Sequence, residues 1–583
     1  MKGDSMSASV SQKEKKHYFK RLLPQSKFDW KLYFSKTWPI IIGEILFCLN
    51  GFLDNFMVSH IPSGIDALTY ANTYTGIIYT IFFAIQGVAG MFVGQYYGKK
   101  DFDKVKQIMN FRIWMYFAIT ILFSIVCWSQ PDAMIRLIGG TKINGAAINE
   151  ARMYLMLICV SWIITSFNFN TNMQLNETGH SNLAFISACL TLLSNATINA
   201  VLLYGFRGNA YYAAFGSIVS ALVCLASDSL LTYYKDRPIF INIFKIYYIT
   251  RPIAIQIVRR FPAMLITIAA MITLPIRMII WARAFPDDLI KGSGIGEKWM
   301  GINAVTILGL VESLASITSA ITSACSSNVS YFVAGNLGKN NFDEAKKHGY
   351  ALRGFHTIAG FGMSLLMVGV IFGIAYSPAT SKGTQEAVKN NIEFYLYSEN
   401  SELINSVFMI QSKSKVINQE IIDNARDAFN LINSGNSHFS SDQIKMFFEK
   451  ENVQIWLNAM KTQVGATFTR TFLLSCLTFL MINPIWCWFY TAAALPGAGG
   501  RNLVGSITML AAHSLSFIWL NILTFAIIIP SRQDGQSSIS LELAYFLFFS
   551  IDFIRWGIFE IVAAKVNWQR NITEELNKNK AIA

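Results

Sequence analysis

The sequence predicts an all-α integral membrane protein of twelve transmembrane helices, arranged as two pseudo-symmetric six-helix bundles with an extracellular helical insertion between helices nine and ten. Three observations carry that expectation. The 583 residues are 53% hydrophobic and 14% charged, too few polar side chains to cover a soluble chain of this length. Apolar runs of roughly 20 residues, the length that crosses a bilayer as a helix, recur from one end to the other. A nine-residue polar stretch of the first half also returns in the second, each copy between two such runs.

The runs fall near 37–58, 68–92, 111–129, 152–173, 183–204, 211–234, 258–282, 300–333, 350–376, 466–494, 503–530 and 540–558. Ahead of them, residues 1–36 contain HYFKRLLPQSKFDWKLYFSKTW, whose interleaved basic and aromatic residues suit the inner membrane surface. The first residues lack the apolar core and cleavage site of a removable signal. Residues 37–234 form the first bundle, 235–257 a cytoplasmic linker, 258–376 with 466–558 the second bundle, and 559–583 a cytoplasmic tail.

The formal charge of +13 is explained by position. Lys13, Lys15, Lys16, Lys20, Arg21, Lys27, Lys31 and Lys36 precede the first span. Lys99, Lys100, Lys104 and Lys106, then Lys235, Arg237, Lys245, Arg251, Arg259 and Arg260, then Lys339, Lys346, Lys347 and Arg353 fill alternate loops. The intervening short loops hold few: Arg136, Lys142 and Arg207. Positive residues stay inside, so both termini are expected in the cytoplasm of a multi-pass plasma-membrane protein. Nucleic acid is excluded as a partner, because no basic folded soluble face is offered. The partners expected are the lipid bilayer and small organic substrates, and the chain is expected to act as a monomer. All eight cysteines lie within spans and read as small packing residues.

The repeat is GKKDFDKVK at 98–106 and GKNNFDEAK at 338–346. Aligning the first of the two spans that precede each copy on its proline, Pro39 with Pro262, sets Asp54 opposite Arg277. Two halves in the same orientation imply an axis along the membrane normal, a transporter design with the path between the halves. The stretch 377–465 has no counterpart in the first half. It carries two helical patterns, NQEIIDNARDAFNLINSG with Gly435 as a stop, and SSDQIKMFFEKENVQIWLNAM with Ser440 and Gln443 spaced as a capping box.

Within the first span, Pro39 to Val58 holds two ionisable residues, Glu44 and Asp54. An ionised aspartate at a helix centre costs roughly 2.5–3.5 kcal/mol, less toward the interface, so its presence calls for a use. Asn50 lies one turn before Asp54, and Asn195 and Asn199 share one face of the fifth span. An acid beside amides can hold a protonated carboxyl group or offer oxygens to Na+. The structural alternatives are an aspartate reaching the headgroups and asparagines that bond neighbouring helices. Glu44, Asp228, Arg277 and Glu312 are further charges inside spans; Arg277 and Glu312 pair, or Arg277 faces the cavity. Asp552 and Arg555 are three apart on the last span and read as an ion pair.

No Gly-x-x-x-x-Gly-Lys-[Ser/Thr] loop, His-Glu-x-x-His pair or Gly-x-Ser-x-Gly elbow is present, so neither an ATP engine nor an enzyme is expected. No cofactor is expected beyond H+ or Na+ as a coupling ion, and no metal beyond Na+ at Asp54.

WPIIIGEILFCLNGFLDNFMVSHI resembles the first helix of the multidrug and toxic compound extrusion (MATE) transporters: a proline near the inner end, an aspartate near the outer end, then a short methionine-containing turn. The likeness continues through VGQYYGKKDFDKVK, ETGHSNLAFISACLTLLSNATINAVLLYG, AAFGSIVSALV, AALPGAGGRN and the terminal IDFIRW and KVNWQRNIT. Trp568 and Asn571 are similar to the DinF-like branch rather than the NorM-like one. The resemblance implies an antiporter with a central cavity between two bundles, exporting organic, often cationic, compounds in exchange for H+ or Na+. It also implies a coupling site made by Asp54 on helix one, Asn195 and Asn199 on helix five, and Ser217 on helix six. Asn199 stands where the branch carries a second acid, and Ser217 where it carries threonine. The helix-seven and helix-ten acids of the NorM-like branch are replaced near Ala270 and Ile485, which argues against a cation site in the second half. Two other readings stay open: a flippase for lipid-linked or polysaccharide precursors, which wants a wide cationic cavity, and a binding or adhesion protein acting through 377–465 on a degenerate transporter scaffold.

Overall fold

The computed structural model describes residues 21–58, 61, 64–139, 145–285, 304–377, 388–389, 392–393, 396, 401–414, 417–432, 439–533 and 539–574. Among them are helices and no strand, as apolar surroundings demand: a helix satisfies its backbone N–H and C=O groups within itself. The first lobe is α1 (Lys27–Met57), α2 (Gly64–Gly98), α3 (Phe102–Ser129), α4 (Gly145–Glu177), α5 (Ser181–Asn199) and α6 (Ala213–Lys235). The second opens with α7 (Phe261–Ala284). Then comes α8, built from Ala304–Thr318, Ile321–Asn328, a π-turn at Val329–Ala334 and Gly335–Gly338, followed by α9 (Phe342–Ala375). It closes with α10 (Glu451–Ala498), α11 (Asn502–Ile522) and α12, the pair Leu541–Phe549 and Asp552–Lys565.

By length and hydropathy, ten helices among the described residues can cross a membrane, or eleven if Arg251–Val258 and Phe261–Leu274 form one span bent by 43°. The run at 540–558 differs from the single span expected there: the helix breaks at Ser550 and Ile551. Just past the break, Asp552 accepts from Trp486 Nε1 at 2.7 Å and pairs with Arg555 at 2.6 Å, both residues being buried.

The repeat is written into the backbone. Lys100 and Asn340, at matching positions, have φ of 63° and 62°. Asp101 and Asn341 then cap α3 and α9, each side chain accepting a backbone N–H three residues on. Asparagine tolerates this left-handed conformation, whereas lysine carries a penalty of about 1 kcal/mol. Lys100 is exposed, so Lys100→Asn is expected to raise stability by up to about 1 kcal/mol, read as a higher midpoint of thermal unfolding in detergent. Helices α5 and α11 both run on into a π-turn, Ala200–Gly205 and Leu523–Ile528.

In the insertion, helices cover Ser401–Ser414, Gln419–Ile432 and Ser441–Glu449, and the Ser440–Gln443 capping box is formed. Gly435, expected as a helix stop, lies outside the described residues. The boundary expected at 465 does not interrupt the chain: α10 continues unbroken for 48 residues from inside the insertion to the far end of the lobe. Such a helix is about 70 Å long, against a hydrocarbon layer of about 30 Å. Phe408, Phe429, Phe447 and Trp456 of the insertion belong to one buried apolar cluster with Phe472 and Phe479 of the membrane part.

The lobes meet most closely at the end that carries the basic repeat loops. A methyl group built at Gly94 would lie 2.3 Å from Ser330 O, at Gly98 1.9 Å from Gly335 O, and at Gly338 2.0 Å from Gln95 O. Glycines spaced by four on α2 therefore let α8 seat backbone against backbone. The start of α1 reaches across as well. Tyr33 shares a hydrogen bond of 2.6 Å with His348, and Asn328 donates to Thr37 Oγ1 at 2.7 Å.

Candidate functional site

Asp54 sits near the end of α1, 3% exposed, on the wall of a cavity of about 390 Å3. The cavity lies within the first lobe, lined from α1, α2, α4, α5 and α6. Because Asn195 and Asn199 are one turn apart on α5, both amides reach the same carboxylate oxygen: Nδ2 of each donates to Asp54 Oδ1, at 2.6 and 2.7 Å. Ser217, near the start of α6, donates to Oδ2 at 3.3 Å. Oδ1 thus carries two donors, and Oδ2 has a single hydroxyl partner that can reverse its role.

Gly216 makes this approach possible. A methyl group there would lie 2.0 Å from Asn199 Oδ1 and 2.7 Å from Asn195 Oδ1. The sequence offered no signal for it, since the chain holds 38 glycines.

Asn50 is placed on the cavity wall but not in the cluster. It has no hydrogen bond to Asp54, and its Oδ1 is a buried acceptor without a partner, as are Oδ1 of Asn55 and of Asn199. Tyr154 of α4 was missed in the sequence, being one of 23 tyrosines. Its hydroxyl faces Ser217 and donates to Asn72 Oδ1 at 3.2 Å, while Trp162 donates to Thr75 at 2.9 Å. A polar chain therefore runs from Asp54 through Ser217 and Tyr154 to α2. Asp228 lies deeper on α6, fully buried, with Cys224 against Oδ2 and Oδ1 unpartnered.

Among the described residues, Glu44 and Asp54 are the charged ones on the cavity wall, and no lysine, arginine or histidine lines it. Arg277 and Glu312 are elsewhere: they form an ion pair in the second lobe, with Tyr545 donating to Glu312 Oε1 at 3.1 Å. The position that matches Asp54 in the repeat is thus occupied by a side chain already neutralised. Ala270 is fully buried, and Ile485 packs against the second lobe's core.

Trp568 and Asn571 lie far from the cavity, in a strap at the basic-loop end. Gln95 of α2 donates to Ala498 O at 2.6 Å and Arg570 O at 3.1 Å, and accepts from Ile572 N at 2.8 Å. Asn571 donates to Gly338 O at 3.3 Å.

Residues 39–201, which contain most of this site, match the MatE family model. Multidrug export protein MepA of Staphylococcus saprophyticus is 22% identical over 306 residues, 51% of this chain and 65% of the relative; MepA of Staphylococcus aureus is 21% identical over 209 residues, 36% of this chain and 45% of the relative. The chain thus spans less than two thirds of the length of these curated relatives. Among solved structures, the Vibrio cholerae MATE transporter VcmN superposes with a TM-score of 0.62 at 12% identity, over 93% of this chain and 98% of that one. A MOP superfamily transporter from Pyrococcus furiosus superposes with 0.60 at 12% identity, over 92% and 97%. A family model thus covers the helices that build most of the Asp54 cluster, and the fold of solved MATE transporters extends over more than nine-tenths of the chain: residues 39–201 form a MatE-like region within a multi-pass membrane protein of MATE-like fold.

Proposed function

We infer that the chain is a secondary antiporter that exports small amphipathic organic compounds, mostly cationic, in exchange for protons, with Asp54 as the group that carries the proton. One observation carries the reading: a buried carboxyl group opens on a cavity of the first lobe, held by amides and a hydroxyl, with no cation beside it. Such a carboxyl group can be stable with or without its proton, because Oδ1 keeps its two donors in both states. Oδ2 takes the proton and then donates to Ser217 Oγ. The two lobes then rock, with the glycine contact of α2 and α8 closing and opening the basic-loop end, exposing the cavity to either side of a plasma membrane with both termini inside.

Na+ in place of H+ is the second reading. It is supported by the three unpartnered buried oxygens, Oδ1 of Asn50, Asn55 and Asn199. Against it, the amides turn N–H groups toward the carboxylate, and only one anionic ligand is present at that end of the cavity. A flippase for phosphate-bearing lipids fits the charge poorly, since the described residues of the wall include two acids and no base. The test is efflux of ethidium from proteoliposomes under an imposed pH gradient or an imposed Na+ gradient. Uphill efflux driven by the pH gradient is expected. Efflux driven by Na+ alone moves the assignment to Na+, and no gradient-driven efflux of organic cations under either overturns the exporter reading.

A further inference from the structure

Proton carriage by Asp54 leaves the other acid of the cavity without a task. We propose that Glu44 is the counter-charge that selects cationic cargo, separate from the proton carrier; the identification of the ligand as cargo rests on the exporter reading above.

Four other acids in the helices are answered by bases, whereas Asp228, away from the cavity wall, meets only uncharged partners. Glu177 pairs with Arg112 at 2.8 Å, Glu560 with Arg353 at 2.5 Å, Asp552 with Arg555 at 2.6 Å, and Glu312 with Arg277. Glu44 is not: it lines the cavity, and the side chain it faces is the Ser323 hydroxyl of α8, across the boundary between the lobes. A hydroxyl does not neutralise a carboxylate, and an acid without a base in apolar surroundings is costly. A bound cation removes that cost.

The surroundings suit an organic cation. Phe47 follows Glu44 by one turn on α1 and meets Tyr79 edge to face at 5.1 Å. Tyr79 in turn stacks on Phe169 at 6.3 Å, and all three rings line the cavity. Ring faces beside a carboxylate attract a delocalised or quaternary cation, the more so when desolvated, and about 390 Å3 is room for a drug-sized molecule. Ten residues separate Glu44 from Asp54 on one helix, about 15 Å of rise, so cargo at Glu44 leaves the Asp54 cluster intact. Because Ser323 belongs to the other lobe, rocking of the lobes changes what Glu44 faces and hence its hold on the cargo.

The experiment measures equilibrium binding to the full chain in detergent, with tetraphenylphosphonium as the cation and Nile red as a neutral amphipathic probe, for wild type, Glu44→Gln and Glu44→Asp. Glu44→Gln is expected to weaken tetraphenylphosphonium about tenfold or more relative to Nile red, and Glu44→Asp to recover most of that selectivity. An unchanged ratio of the two affinities in Glu44→Gln overturns the assignment, as does a wild type that does not bind tetraphenylphosphonium. Nile red binding reports a folded cavity, so a misfolded variant is recognised by losing both probes; Glu44→Asp then decides, since a charge-selecting acid keeps the preference for tetraphenylphosphonium and loss of that preference overturns the proposal. Binding needs no gradient. A chain that fails in the ethidium efflux assay but shows the charge-selective loss keeps this site and loses the exporter reading, and the reverse pattern separates them the other way.

Discussion

Asp54→Asn is expected to reduce gradient-driven efflux to the passive leak while leaving the fold and cargo binding in place. The substitution preserves shape and most hydrogen bonds: Asn Oδ1 can still accept from Asn195 and Asn199, and its Nδ2 can donate to Ser217 Oγ. What disappears is the ability to exchange a proton. The variant mimics the protonated carboxyl group permanently, so its two lobes still exchange but carry nothing back. Thermal stability should change by no more than about 1 kcal/mol, since no buried polar atom is newly stranded. A loss of fold would instead show that the charged carboxylate is needed for structure. The complementary variants are Asn195→Ala and Asn199→Ala, each removing a donor to a carboxylate, a bond of about 1.5–3 kcal/mol. Their effect should fall on the ionised state, lowering transport at high pH more than at low pH, where the carboxyl group is neutral. The measurement is efflux of ethidium from proteoliposomes at matched protein content, with the imposed gradient as the variable. Uphill efflux surviving in Asp54→Asn sinks the assignment.

How much of this was legible beforehand follows from what each feature costs. Apolar runs are legible because a membrane helix has no other way to satisfy its backbone, and the repeat because Gly98 and Gly338, Lys100 and Asn340, and Asp101 and Asn341 answer a local backbone demand. Asp54 stood out because an acid in an apolar span needs a reason. The amides of α5 were marked by the family resemblance, and helical spacing added that they share a face, as both reach one oxygen only if they are a turn apart. Asn50 satisfied the same spacing rule on α1 and still misses the carboxylate, because spacing fixes a face of a helix but not the neighbour that face meets. Gly216 and Tyr154 act through packing across helices, which no local pattern encodes. At the far edge of the insertion, composition and helix part company for a related reason. Between Glu451 and Val464 the polar residues gave no sign of a membrane helix, yet Val453, Trp456, Leu457, Met460 and Val464 recur at helical spacing and are buried. A single helix carries both environments, so the change in composition marks where the surroundings change and not where the helix begins.

Gly98→Val is expected to open the basic-loop end. At this point the two lobes touch through main chain: the nearest atom to a new Cβ is Gly335 O at 1.9 Å, followed by Gly335 C and Cα. Backbone inside a helix cannot rotate aside as the tip of a flexible side chain does, so α2 has to move away from α8. The neighbouring Gln95 would move with it. Its bonds to Ala498, Arg570 and Ile572 tie α2 to the turn after α10 and to the C-terminal strap, so one displacement loosens several contacts between the lobes. Overpacking of this kind costs roughly 1–3 kcal/mol, and here it falls on the state closed at this end alone. The population therefore shifts toward the state open at this end by about five- to 150-fold. Cys48 and Cys224, both on the cavity wall, report the change. A membrane-impermeant thiol reagent supplied from the basic-loop side should label them at least several times faster in Gly98→Val than in wild type, with the sites located by mass spectrometry. Efflux should fall in the same variant, because a transporter held open at one end cannot complete the cycle. Gly98→Ala should show the same effects at smaller amplitude, as its methyl group alone already meets the Gly335 carbonyl. Equal labelling and equal efflux in all three chains would mean that the contact of α2 and α8 is not the seal that closes this end.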